Sequence, residues 1–173
     1  MTTNANLTGH ITSVGNATSL GSFTLAQLST AVSDADIART DAGQTFAGNH
    51  VFSGNLSVTG NTTVAAATET TVALGTVATT ATIAITAGTL ITATLTASTA
   101  CVFTMPAVAA GKSFTLLLKQ ATTTGNGSAT FTGVKWASGT APVITATASK
   151  MDILTFVSDG TSWYGSIAQN FTP

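Results

Sequence analysis

Side-chain catalysis needs an ionisable group beside a nucleophile or a metal, and this chain offers few of either. His10 and His50 are its histidines, Cys101 its single cysteine, and Asp34, Asp36, Asp41, Glu69, Asp152 and Asp159 its carboxylates. An activated serine needs a base within reach and a third group to orient that base. Both histidines lie in the first third of the chain, far along the sequence from the serines of its C-terminal half. One cysteine and two distant histidines do not make a closed metal site within one chain. Gly111-Lys112-Ser113 lacks the upstream glycine spacing of a phosphate loop. Asp152 and Asp159 are the only carboxylates after residue 100, and Asp159, followed by Gly160, reads as a turn residue. No enzymatic activity, no metal and no cofactor are expected.

Binding is a different matter, because it needs shape more than charge. Trp136, Trp163 and Tyr164 are the aromatic candidates for contact with a receptor, since flat rings stack on sugars and anchor interfaces. Trp163 and Tyr164 are neighbours on a strand-like run, so they point to opposite faces, one towards a core and one away. Cys101 sits in the apolar run CVFTM and reads as a small buried hydrophobe.

Composition narrows the class further. Charged residues make up 6% of the 173, against about 25% in ordinary soluble domains. The apolar share is an ordinary 44%, so Thr, Ser, Asn and Gly have taken the place of charge. β-branched Thr favours a pleated surface, and Gly and Asn accept the backbone angles of tight turns. A net charge of −1 supplies no field for nucleic acid or an anionic membrane. Residues 70–111 carry no charge, but Thr and Gly interrupt the stretch repeatedly, so it reads as sheet rather than a membrane span. MTTNANLTGH has neither a basic leader nor an apolar core, and no signal peptide is expected.

Three textures follow one another. Residues 1–45 form an extended arm, with helical spacing at Leu25, Leu28 and Val32 that predicts a short helix over 25–32. Residues 46–71 contain the sequence's clearest rule. In FAGNHVFSGNLSVTGNTTV, Phe46, Phe52, Val58 and Val64 recur every six residues, and Gly-Asn pairs follow the first three at 48–49, 54–55 and 60–61. Six is a multiple of two, so the ruler falls on one side of an extended chain. A strip this narrow buries too little to offset an ordering cost of about 1–2 kcal/mol per residue. Copies of the same chain would complete it, with Phe46, Phe52, Val58 and Val64 converging on a shared axis as an intertwined β-shaft. On a threefold axis His50 would meet two copies of itself, although no metal is expected there.

From residue 72 to 173 the pattern is that of a globular β-domain. Ile91, Ala93, Leu95 and Ala97 alternate with polar residues, Phe114, Leu116 and Leu118 alternate with Thr115, Leu117 and Lys119, where only Leu117 breaks the pattern, and turn signals recur at 86–88, 109–111, 125–127, 138–139 and 159–160. Eight strands are expected, at 77–86, 89–97, 101–105, 113–120, 128–135, 142–147, 151–158 and 161–170, joined as a jelly-roll-like β-sandwich knob. The fold class is therefore all-β with short helices in the arm.

The stretches TSVGNATSLGSFTLAQL and SDADIARTDAGQTFAGNHVFSGNLSVTGN resemble the N-terminal parts of bacteriophage tail-fibre and other virion fibre proteins. DILTFVSDGTSWYGS resembles the closing hairpin of small β-domains in such proteins. The resemblance implies a non-enzymatic structural protein on the phage particle surface, a homotrimeric tail fibre for host attachment. Its arm would meet other virion proteins and its knob a host surface glycan. A capsid decoration (cement or head-fibre) protein is the alternative, and a carbohydrate-binding module using Trp136 or Trp163 a second.

Overall fold

The structure, a computed structural model, describes residues 11–14, 17–20, 45 and 49–173. The helix expected at 25–32, Phe46 and most of the arm lie outside the described residues. Two compact units divide the chain, Met1–Thr62 and Thr63–Pro173. In the first, β1 (Ile11–Val14) pairs antiparallel with β2 (Ala17–Leu20), with Val14 opposite Ala17. Gly15-Asn16 falls between them in the sequence, a dipeptide of the hairpin class that the reading of an extended arm passed over. From 49 to 70 the chain enters no strand or helix.

The second unit is all-β. Six strands form one sheet in the order β3 (Thr71–Val77), β5 (Leu90–Leu95), β7 (Ser113–Lys119), β10 (Met151–Ser158), β11 (Trp163–Phe171), β9 (Val134–Trp136). Three form another, β4 (Thr80–Thr82), β6 (Ala100–Thr104), β8 (Ser128–Phe131). The chain visits the two sheets alternately. β3, β5 and β7 stack in parallel in one, while β4, β6 and β8 stack in parallel in the other. Residues 71–131 thus wind as three coils of a β-solenoid, and β10 and β11 then close the wide sheet antiparallel to β7 and to each other. This corrects the jelly-roll sandwich expected from the sequence, whose strands would pair antiparallel throughout. Inward-outward alternation has the same period in both arrangements, so it cannot distinguish them.

Three expected strands are redrawn. The run 77–86 splits, because β3 ends at Val77 and β4 begins at Thr80 in the other sheet. The run 128–135 breaks after Phe131, where Gly133 at φ +76° turns the chain out of the narrow sheet towards β9. The run 142–147 is not a strand. Its Thr145 backbone bonds to side chains instead: the N–H donates to Asp152 Oδ2 at 2.7 Å and the carbonyl accepts from Gln120 Nε2 at 2.7 Å. The Asp159-Gly160 turn is also longer than a two-residue hairpin, since Ser158 pairs with Trp163 and four residues intervene.

One core lies between the two sheets. Ile91, Leu95, Leu116, Leu118, Leu154 and Phe156 from the wide sheet meet Cys101, Phe103 and Phe131 from the narrow one. Parallel register stacks Phe103 on Phe131 with ring centroids 5.0 Å apart, and antiparallel register stacks Phe114 on Phe156 at 4.7 Å. Phe131 and Phe156 touch across the sheets at 5.3 Å. Such aromatic pairs contribute about 0.5–1.5 kcal/mol each beyond their burial. Gln120 is, with Asp152 and Ser158, one of the buried polar residues described: its Nε2 also donates to the Gly127 carbonyl at 2.7 Å, and its Oε1 accepts from the Gly127 N–H at 2.9 Å.

The exposed edge at β3 is interrupted. Its pairing with β5 shifts register between Ala73 and Thr76, where Gly75 adopts φ +69°. The extra residue turns Val77 into the core after Val72 and Leu74, and bends an edge that would otherwise invite a further strand. Among the described residues no helix is long and apolar enough to cross a membrane.

Candidate functional site

Every residue from 49 to 71 is exposed. The shaft positions Phe52, Val58 and Val64 are 65%, 50% and 59% exposed, and Val51 and Leu56 beside them are 90% and 63% exposed. An extended stretch carrying five bare large hydrophobic side chains has surrendered the main favourable contribution to folding, about 1.5–3 kcal/mol per buried side chain. Gly54 and Gly60 have open space where a Cβ would project, so nothing among the described residues explains them. His50 is exposed in the same stretch.

The three aromatic candidates are not brought together on one surface. Trp163 is buried at 2% exposure, its edge against Phe114, and its Nε1 donates to the Pro106 carbonyl at 2.8 Å. Trp136 is half-buried and packs edge-on against Phe131 and Phe156. Tyr164 is exposed at 49%, and its hydroxyl donates to Asp159 Oδ2 at 3.0 Å. Both indoles are therefore engaged with the interior of this unit, and Tyr164 alone among the three presents a half-open ring.

Trp136 explains a glycine as well. Gly165 pairs with Trp136 across β11 and β9, and a Cβ added there would lie 2.6 Å from the indole ring. Gly165→Ala should therefore displace Trp136 and lower stability by about 1–3 kcal/mol, the usual cost of overpacking. A chemical-denaturation midpoint followed by tryptophan fluorescence measures it; an unchanged midpoint would mean that the ring moves aside freely.

Asp152 and Asp159 are committed to backbone. Asp152 is buried, and its Oδ2 and Oδ1 accept the N–H groups of Thr145 at 2.7 Å and Asn170 at 2.9 Å. Asp159 Oδ1 accepts from Thr161 N at 2.7 Å and Ser162 N at 2.8 Å. The two acids sit at opposite ends of β10, about 23 Å apart along a strand, far beyond the separation at which paired carboxylates cooperate. Among the described residues no group of three His, Cys, Asp or Glu could hold a metal. Burial pushes the Cys101 thiol up, away from the reactive thiolate.

The N–H groups of Ser162 and Thr161, and then the Tyr164 hydroxyl, hold the Asp159 carboxyl below its usual range. A carboxylate with a depressed folded-state pKa adds stability above its unfolded value and loses it as pH falls through the folded one. The β10–β11 loop should accordingly weaken only in acid. Melting temperatures of the wild type and Asp159→Asn, compared from neutrality into acid, should converge as the carboxylate protonates. A gap that stays constant would mean that the charge contributes nothing.

On the wide sheet, the face turned away from the core carries two open depressions. One, about 540 Å3, is lined by residues including Glu69, Leu90, Thr115, Thr155 and Val157; the Thr89 hydroxyl donates to Glu69 at its mouth. The other, about 200 Å3, lies among Thr92, Leu117, Lys119 and Met151. A face of this kind becomes visible only when strands distant along the chain are laid side by side. Comparison with protein-family models, with curated proteins and with solved structures finds no match for this chain.

Proposed function

We propose that the chain is a structural, non-enzymatic component of a phage particle: a homotrimeric fibre in which residues 46–71 intertwine as a shaft, residues 1–45 attach to other virion proteins, and residues 72–173 form a rigid β knob. The observation that carries this reading is the wholly exposed run from 49 to 71 with Phe52, Val58 and Val64 on its six-residue ruler. Three such runs would supply each other with the apolar partners that the described residues of one chain do not. The knob then presents a stiff surface three times over, so weak contacts with a host surface multiply through avidity. The resemblance of residues 12–28, 33–61 and 152–166 to virion fibre proteins points the same way.

Light scattering during size-exclusion chromatography tests the assembly. The expected mass is three times the 17.2 kDa of one chain, and a monomer at micromolar concentration overturns it. Imaging of particles separates a tail fibre from a decoration protein on the head. For the carbohydrate-binding alternative, Trp163 lies in the core and Trp136 packs half-buried against Phe131 and Phe156, which leaves Tyr164 as the half-open ring of the three.

A further inference from the structure

Packing places a chemically labile dipeptide on the surface of the β unit. The connection between β7 and β8 contains Gly125-Asn126-Gly127. Gly125 adopts φ +65°, and a Cβ there would lie 2.3 Å from the Ala146 carbonyl oxygen. Asn126 follows at φ +57°, a left-handed conformation that asparagine tolerates, and its N–H donates to that same carbonyl at 2.7 Å. A Cβ on Gly127 would meet Leu95 Cβ at 2.7 Å and the Thr96 carbonyl oxygen at 3.0 Å. Both glycines are buried, and Asn126 between them is exposed. Asn126-Gly127 is the only Asn-Gly pair in the chain. A glycine after asparagine leaves the next backbone nitrogen unshielded, so the side-chain amide is open to attack by its own backbone. The Gly127 nitrogen bonds to Asn126 Cγ, the Cγ–NH2 bond breaks, and ammonia departs with the proton from Gly127 N. Water then opens the resulting succinimide at either ring C–N bond, giving aspartate or isoaspartate.

The folded unit withholds the attacking nitrogen. Gly127 N–H donates to Gln120 Oε1 at 2.9 Å and the Gly127 carbonyl accepts from Gln120 Nε2 at 2.7 Å, so one buried amide grips both sides of the residue. The proton that must leave is held by Gln120 and shut away from base in the solvent. The two bonds also fix the orientation of residue 127, and its nitrogen cannot swing towards Asn126 Cγ while they hold. We propose that Asn126 is a latent deamidation site, closed by the Gln120 amide and reactive only when the 120–127 turn opens. Reaction then follows the small population in which the turn is open, as hydrogen exchange does. The chemistry makes such an opening permanent, because isoaspartate adds a backbone carbon between two glycines that have no room for a Cβ. Every residue of the lock lies within the β unit, so it operates however the chains assemble.

The test incubates the full-length chain at mildly alkaline pH with and without denaturant, and reads Asn126 by peptide mapping and mass spectrometry. Deamidation at least tenfold slower in the folded protein is expected, equivalent to at least about 1.4 kcal/mol for opening the turn. Equal rates overturn the lock. Gln120→Met should deamidate at least fivefold faster than folded wild type, and an unchanged rate overturns the role of Gln120. A core variant, Phe103→Leu, leaves Gln120 and Gly127 in place and is compared under conditions that leave the two variants equally folded. Equal rates in both mean that global unfolding controls the reaction, which also overturns that role. Should Gln120→Met fail to fold, hydrogen exchange at Gly127 in the wild type decides. Protection matching that of Asn126 against deamidation supports the lock, and a freely exchanging Gly127 amide overturns it.

Discussion

If residues 46–71 form the shaft of a trimer as proposed, replacing Phe52, Val58 and Val64 together with Ser is expected to leave only monomer at any concentration light scattering can reach. Each of these side chains, if buried among its counterparts, contributes about 1.5–3 kcal/mol. Three positions in three chains make nine side chains, an upper bound of about 13–27 kcal/mol, and every 1.4 kcal/mol is a tenfold change in affinity. No plausible compensation elsewhere recovers a loss of that size. The cooperative unfolding of the β unit should survive, since the core residues Phe103, Phe131, Phe156 and Trp163 are untouched. Retention of the trimer by the triple variant would place its contacts elsewhere and sink the shaft. Substituting Ser at Val51 and Leu56 provides the control: these are as exposed in the single chain but off the ruler, Val51 on the opposite side of the strip, and smaller losses are expected from them.

The second large effect lies in the knob. Gln120→Met keeps length and shape but removes every hydrogen bond made by the buried amide. It leaves the Gly127 N–H, the Gly127 carbonyl and the Thr145 carbonyl without their partner. An orphaned buried polar group costs about 1–3 kcal/mol, and the two at Gly127 are buried while Thr145 is partly so. The sum, about 3–5 kcal/mol, is a large share of the roughly 5–15 kcal/mol that holds a domain folded. A denaturant midpoint should fall accordingly. The segment around Thr145 should loosen first, because it belongs to no strand and Gln120 supplies one of its few anchors, beside Asp152 at Thr145 and the Asn126 N–H at Ala146. Hydrogen exchange at Thr145 reads this directly: unchanged protection in the variant would show that the amide is dispensable.

How much of this was legible beforehand depends on the distance over which a feature is decided. Alternation of apolar and polar residues is local, so β5, β7 and β10 fall close to the strands expected at 89–97, 113–120 and 151–158. That one of Trp163 and Tyr164 turns inward and the other outward follows from two neighbours on one strand; that Trp163 is the inward one is decided by packing. The β1–β2 pair had a signal, Gly15-Asn16, overlooked because the surrounding residues read as a loose arm. Gln120 had none. Nothing near it marks an amide that must bond to Gly127 and, 25 residues on, to Thr145.

By itself, then, the amino-acid sequence determined the all-β character, the scarcity of reactive groups and the six-residue ruler, because these depend on composition and on spacing along one strand. Tertiary structure alone decided that β3, β5 and β7 run parallel as successive coils, that both indoles are taken into the packing, and that Leu117 and Ile153 share an outward row. The reason is physical. A side chain's direction on a strand repeats every two residues whichever way its neighbour runs, so partner, direction and register are set by the packing of residues far apart in the chain.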